Sequence, residues 1–384
     1  MIRIIEHSDG FLAIKEGCVI VNVLVNELEA GRKIAANVFT DRGNLLFQKG
    51  RVLLPRDLEI LHAFMIQQVE IQETAEDKEQ AALKQGGKEK SDSSKTSESG
   101  STPLNRKERS FIEEYEQMVA LIKSGFPSVL GMEIPIFQWR AQLEKLIDQI
   151  QGYRILGFTP RMPDKHDYMY HQAVLCALTS YMLARWMDIP QKNWIQVALA
   201  GLLHDIGKVK VPPTILHKPD PLTPEEKSEM DNHTTYGYQI LKNATALQEG
   251  VLLAALQHHE RIDGSGYPFA LTGEKLHVYS KIVAVADIFH AMTLDRRYRG
   301  ATSPYLVLEQ LQQDSFGRLD PAIVRTLIKH TTQLSLGTRV KLSNRRMGEI
   351  VYADAHQPTR PIVSSNGEII NLIQNRNLFI MEVL

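Results

Sequence analysis

Apolar residues return every third or fourth position over most of the stretch 111–332, which predicts a succession of amphipathic helices. Phe111, Ile112, Tyr115, Met118, Val119 and Ile122 form one stripe; Trp139, Leu143, Leu146, Ile147 and Ile150 form the next. Both read as ordinary core faces, and such helices can also pair with a second chain to give a homodimer. Ile195, Ala198, Leu199 and Leu202 make a third stripe that runs straight into Leu203-His204-Asp205-Ile206-Gly207-Lys208-Val209. Thr223-Pro224-Glu225-Glu226 is a capping box with proline at the first helical position, so a helix starts there and runs toward His233, placing Met230, His233 and Gly237 on one face. Leu252, Ala255, Leu256 and His259 share a stripe of a further helix from Val251, with His258 about 100° round from it. Ser280 to Leu294 aligns Val283, Asp287, His290 and Leu294 along one side.

Outside that stretch the period changes. Val19–Val23 and Ile34–Val38 are rich in strand formers with Asp41-Arg42-Gly43-Asn44 as a turn, and Leu58, Ile60, Leu61 and Phe64 fit a helix from Pro55. Residues 1–75 therefore read as a small α+β module. Residues 76–110 hold Lys, Glu, Ser, Gly and Gln without an aromatic or β-branched aliphatic residue, the composition of a flexible linker that cannot bury enough apolar surface to offset ordering. Connecting helices fill 111–163, a helical domain fills 164–335, and alternating segments at Arg339–Leu342, Glu349–Tyr352, Ile362–Val363, Ile369–Ile373 and Phe379–Met381 make 336–384 a small β domain. The class is multidomain, an all-α domain flanked by these two small modules.

Charge excludes some partners. Lys and Arg number 44 against 45 Asp and Glu, so no electrostatic footprint for nucleic acid or an anionic membrane is expected, and an anionic ligand must be met by local cations. No run approaches the roughly 18 apolar residues of a membrane span, the first residues lack a secretory signal, and Cys18 and Cys176 form no disulfide framework. A cytoplasmic protein is expected.

Histidine is concentrated where chemistry needs it. Nine of the 13 histidines lie between His166 and His290, with Asp205, Asp263 and Asp287 among them. Two divalent cations about 3.5–4 Å apart can activate water and neutralise charge building on a phosphoryl group. Such a site needs a bridging carboxylate, which Asp205 supplies beside His204, and several neutral imidazoles, for which His233, His258 and His259 are candidates together with Asp287. A donor set rich in nitrogen favours iron or manganese over magnesium.

His204-Asp205-Ile206-Gly207-Lys208, then His233, then His258-His259-Glu260-Arg261-Ile262-Asp263-Gly264-Ser265-Gly266-Tyr267-Pro268, resembles the HD-GYP family, a branch of the HD phosphohydrolases. The resemblance covers roughly 164–332 and implies an HD-type helical domain that hydrolyses cyclic di-GMP to pGpG and/or GMP with two or three metals. It implies that His204, Asp205 and Asp287 hold one metal, with Asp205 shared, and that His233, His258 and His259 hold the second. Lys208 would act on the scissile phosphate or leaving oxygen, so Asp205 and Lys208 are the catalytic pair. Lys208, Tyr267, Arg296 and Arg299 would bind the dinucleotide, and the terminal domains would meet protein partners. His166, His217 and His277 are left structural or solvent-facing.

The family's additional first-metal histidine falls within Tyr168-Met169-Tyr170-His171-Gln172, where the ungapped register puts Gln172 at the ligand position and the alternative puts His171 there. A carboxamide is a poor ligand beside imidazole, so the first register implies a weak first metal and a domain that is catalytically weak, or a sensor of cyclic dinucleotides. In the second, Asp167 lies one turn earlier and can serve a third metal; in the first, Tyr168 takes that place. His290, where many members have Asp, weakens the third site.

Overall fold

Two units make up the chain, 1–101 and 102–384. The structure, a computed structural model, describes residues 4–5, 12–15, 18–25, 28–39, 45–63, 66–73, 106–295, 300–354 and 357–384. In the first unit, strands β1 (Ile4–Ile5), β2 (Leu12–Lys15), β3 (Cys18–Leu24), β4 (Lys33–Ile34), β5 (Val38–Phe39), β6 (Leu45–Phe47) and β7 (Gln68–Glu73) accompany one helix, α1 (Pro55–Ala63). The main sheet is antiparallel in the order β1-β2-β3-β7-β4, and β5 pairs with β6 apart from it. The segment Ile34–Val38, expected as one strand, thus ends at Ile34 and restarts at Val38 in a different sheet. Ile34, Leu53, Leu61, Val69 and Ile71 fill the core of this unit. The expected turn at Asp41–Asn44, Phe64 and residues 76–105 of the expected linker lie outside the described residues. Arg106–Ser110, placed by sequence in that linker, are instead helical: they form the first turns of the helix that carries Phe111, whose buried stripe supplies the packing that their own composition lacks.

The second unit is mostly helical. Helices α2 (Arg106–Ser128) and α3 (Ile136–Asp148) lead into α4 (Tyr168–Trp186) and α5 (Trp194–Leu203). Short α6 (Pro213–Leu216), then α7 (Pro224–Asp231), α8 (His233–Leu241), α9 (Glu249–Gln257), α10 (Val278–Thr293), α11 (Pro304–Asp314) and α12 (Pro321–Thr331) complete it. The stripes of α2 and α3 join the same core as α4, α5 and α10, with Phe111, Tyr115, Trp139 and Leu143 fully or almost fully buried. Each such side chain contributes roughly 1.5–3 kcal/mol by leaving water. The capping box forms as expected, Thr223 and Glu226 each accepting the other's backbone N–H, but the helix it starts stops at Asp231 and a new one begins at His233. No helix among the described residues is long and apolar enough to cross a membrane.

Strands β8 (Arg339–Leu342), β9 (Met347–Tyr352), β10 (Ile362–Ser365), β11 (Glu368–Asn371) and β12 (Ile380–Val383) close the chain as an antiparallel sheet in the order β11-β10-β9-β8-β12. Its core of Val340, Leu342, Ile350, Val363 and Ile380 packs around Tyr305 of α11. Arg360 pairs with Glu309 of the same helix through two bonds of 2.6 and 2.8 Å. The sheet is therefore seated on α11 within the second unit.

Candidate metal centre

α5 is buried on every side, and its end delivers His204 and Asp205, 0% and 2% exposed, into the interior before a 3-10 turn over Ile206–Lys210 turns the chain. Two glycines make this possible. A Cβ on Gly201 would stand 2.6 Å from the Cys176 carbonyl of α4, and one on Gly207 would stand 1.9 Å from the His233 carbonyl. The first contact seats α5 on α4. The second seats the turn on the start of α8, bringing His233 beside Asp205.

Each central imidazole has its orientation fixed from behind. The Nδ1 of His204 lies 2.8 Å from the Gly201 carbonyl, that of His233 2.7 Å from Met230, and that of His258 3.1 Å from Ala254 and Ala255. A carbonyl only accepts, so each Nδ1 carries a proton and each Nε2 faces inward, in His233 and His258 with a lone pair. The Nε2 atoms of His233 and His258 then face each other at 3.3 Å, and lie 3.3 and 3.7 Å from Asp205 Oδ1. Asp205 Oδ1 and His204 Nε2 are buried with no hydrogen-bond donor or acceptor of their own. Converging lone pairs and an anionic oxygen repel one another in a dry interior, and a divalent cation among them removes that repulsion. Donor atoms of Asp205, His233, His258 and His259 all lie within 4.8 Å of one another, as do those of Cys176, His204 and Asp287. Asp205 Oδ2 and Asp287 Oδ1 each stand 3.4 Å from His204 Nε2, so Asp205 touches both groups. The residues fit a metal centre.

Residues 160–323 match the family model described as HD domain. That segment is similar to the HD domain family. A cyclic di-GMP phosphodiesterase of Pseudomonas aeruginosa is 35% identical over 188 residues, 49% of this chain and 45% of that protein. A cyclic di-GMP phosphodiesterase of Thermotoga maritima is 41% identical over 149 residues, 38% and 40% of the two chains. A 3'3'-cGAMP-specific phosphodiesterase of Vibrio cholerae is 40% identical over 170 residues, 44% and 39%. The chain spans less than half the length of these relatives.

Around the HD domain's histidines, charge is arranged by burial and by the two aspartates. Burial disfavours the His204 imidazolium, but Asp205 and Asp287 outweigh it and raise the group to about 10. Burial lowers His258 to about 4, and burial with His258 alongside holds His259 well below its ordinary value. Burial opposes ionisation of Asp205, yet Lys208 and His204 hold its carboxyl well below the usual range. Lys208 donates to Asp205 Oδ2 from a side chain 14% exposed, and that carboxylate raises its ammonium despite desolvation.

These shifts set an acid limit and an alkaline limit on the metal-free protein. His258 and His290, lowered to about 4 and about 3 from 6.5, bind fewer protons folded than unfolded, so stability falls as pH drops from 6.5 toward 4. His204 has the opposite sign: its contribution is complete below 6.5 and is lost as pH rises through about 10. Chelator-treated protein should therefore show its highest urea midpoint near neutral pH, declining on both sides. A midpoint that climbs steadily from pH 6.5 to 4 would contradict the buried, neutral histidines.

The two registers for the first-ligand position separate clearly. His171 Nδ1 meets the Tyr115 hydroxyl of α2 at 2.9 Å, while Gln172 donates its amide to Asp287. Asp167 pairs with Lys123 at 2.7 Å, and His290 with Thr179 at 2.7 Å. Asp167, the third-metal candidate of the His171 register, is thus engaged elsewhere, as is His290. His166 donates its backbone N–H to the Asp164 carboxylate at the surface, and His277 caps α10 by accepting from the Tyr279 backbone N–H.

Tyr267 is held on a loop whose shape comes from a residue absent from the expected site. Glu260 is 2% exposed, and its two oxygens accept the backbone N–H groups of Phe269 and Leu271 at 2.8 and 3.0 Å. Gly266 is required because a Cβ there would fall 2.4 Å from Glu260 Cα, and Gly264 takes φ +78°. The Tyr267 ring stacks on His259 at 4.7 Å, with Lys227 Nζ 5.6 Å from its centroid. Arg296 and Arg299 lie outside the described residues. The signal for Glu260 was its place beside two histidines.

Proposed function

We propose that this chain is a metal-dependent phosphodiesterase that opens cyclic di-GMP to pGpG, with onward cleavage to GMP, in bacterial second-messenger signalling. The observation that carries the reading is the junction at Asp205 of two inward-facing donor groups, within a segment similar to relatives named for cyclic dinucleotide hydrolysis. His204, Asp205 and Asp287 would hold one cation, and His233, His258 and His259 with Asp205 the other; iron or manganese suits the nitrogen-rich set. Bound there, the cations would supply charge neutralisation at phosphorus and lower the pKa of water. Lys208, kept cationic by Asp205, meets negative charge developing on the phosphoryl or leaving oxygen. Tyr267 offers a ring braced on His259 to the dinucleotide, and Arg296 and Arg299 are assigned to its phosphates and guanines. The terminal domains would take signals or protein partners, and the chain would work in the cytoplasm.

Full-length protein purified anaerobically and loaded with iron or manganese is expected to yield pGpG or GMP from cyclic di-GMP. No ring opening at any metal load would overturn the reading. Gln172 supports a second one, a weak or inactive domain that senses a cyclic dinucleotide or engages protein: the ligand would then be recovered intact after long incubation. Gln172→His should raise metal content and rate together. Initial rates with 3'3'-cGAMP alongside cyclic di-GMP decide the substrate.

A further inference from the structure

We infer that Cys176 is a thiolate ligand of the first metal, completing with His204 and Asp287 a sulfur-containing subsite. The inference deepens the metal-dependent reading of this site and rests on it. Gln172 and Cys176 are separated by one turn of α4 and share its face toward Asp287. A carboxylate oxygen of Asp287 faces the Gln172 side-chain amide, and a carboxylate only accepts. The amide atom facing it is therefore the nitrogen, and Gln172 braces Asp287 with its donor instead of turning a lone pair to a cation. That leaves the first group short of a donor where an imidazole would otherwise stand. The Cys176 sulfur, fully buried, lies within 4.8 Å of the donor atoms of both His204 and Asp287. The second, independent observation is His204 Nε2, equally buried and without a hydrogen bond of its own, with only the carboxylates of Asp205 and Asp287 facing it at 3.4 Å.

A buried cysteine is ordinarily a small apolar core residue. Here its neighbours are His204 Nε2 and the Asp287 carboxylate, which with the sulfur form one group of candidate donor atoms. On coordination the S–H bond breaks, the proton leaves to buffer, and the sulfur lone pair forms the bond to the cation, with no change of oxidation state. The two subsites then differ in character. The first combines sulfur, nitrogen and oxygen and favours a softer ion such as ferrous iron, cobalt or zinc over manganese; the second, three imidazoles and a carboxylate, does not discriminate in that way.

Titration of the anaerobic, metal-free full chain with cobalt(II) tests this by absorption, with bound cobalt counted by elemental analysis. A near-ultraviolet thiolate-to-cobalt charge-transfer band is expected, persisting in Cys18→Ser and absent in Cys176→Ser and Cys176→Ala. The first site's cobalt affinity in those two variants should fall by more than the ~10–100-fold that loss of an outer-shell partner costs. The band of the unaltered protein stands as evidence even if both core variants fail to fold. Two cobalt ions bound without the band would overturn the sulfur ligand and leave the metal centre intact. No cobalt bound at all would overturn the metal centre and the ligand with it.

Discussion

Replacing Asp205 by asparagine is expected to empty both metal positions and to cut phosphodiesterase turnover by about 10³-fold or more. One carboxylate serves everything around it. Its Oδ1 lies 3.3 Å from His233 Nε2 and 3.7 Å from His258 Nε2, while its Oδ2 lies 3.4 Å from His204 Nε2 and accepts from Lys208. Asparagine keeps one oxygen and replaces the other by an NH2 group. If the NH2 takes the Oδ2 place, it confronts the Lys208 ammonium, donor against donor; if it takes the Oδ1 place, it donates to an imidazole lone pair that a cation would need. Either rotamer removes the anionic bridge. Metal content after gel filtration, read on folded protein with turnover of cyclic di-GMP alongside, checks the expectation. A variant retaining two metals and near-parental rate would show that the two donor groups do not depend on Asp205.

What could be read from sequence was whatever repeats along one element. The stripes of α2, α3 and α9, the capping box at Thr223 and the cluster of His and Asp are local signals, and the structure brings His204, Asp205, His233, His258, His259 and Asp287 to one centre. Contacts set by packing between elements were not legible. α4 is buried on nearly all sides from Met169 to Ala184, so polarity could not say whether His171 or Gln172 faced inward. The phenol of Tyr115, 56 residues earlier, engages one and Asp287, 115 residues later, engages the other. Cys176 was hidden for the same reason, its significance depending on how α10 and the end of α5 cross α4. Arg106–Ser110 look like linker by composition because the apolar stripe that makes them helical begins only at Phe111. The break between α7 and α8 likewise leaves little trace, since Asp231-Asn232-His233 can continue a helix, yet His233 must point its Nδ1 back to Met230 to present Nε2.

Gly207→Ala should be the most destabilising single methyl group in the HD domain. Its Cβ would stand 1.9 Å from the His233 carbonyl oxygen and 2.4 Å from the Gly237 amide nitrogen, both backbone atoms of α8 that no rotamer change can clear. The helix must move outward by more than an ångström, and His233 moves with it, opening the cavity-free contact between α8 and the turn at Ile206–Lys210. A loss of about 3 kcal/mol or more is expected, with the second metal position weakened in any protein that still folds. Gly131→Ala is the comparison, because a Cβ there meets nothing within 4 Å and φ is not positive, so the same chemical change should shift the unfolding midpoint little. Thermal unfolding of the two variants in chelator isolates packing from metal binding. If both melt together with the parent, α8 does not rest on the His204-Asp205 turn and the convergence of His233 on Asp205 loses its structural cause; if only Gly207→Ala falls, the methyl-free contact is what holds the second group of imidazoles against the shared carboxylate.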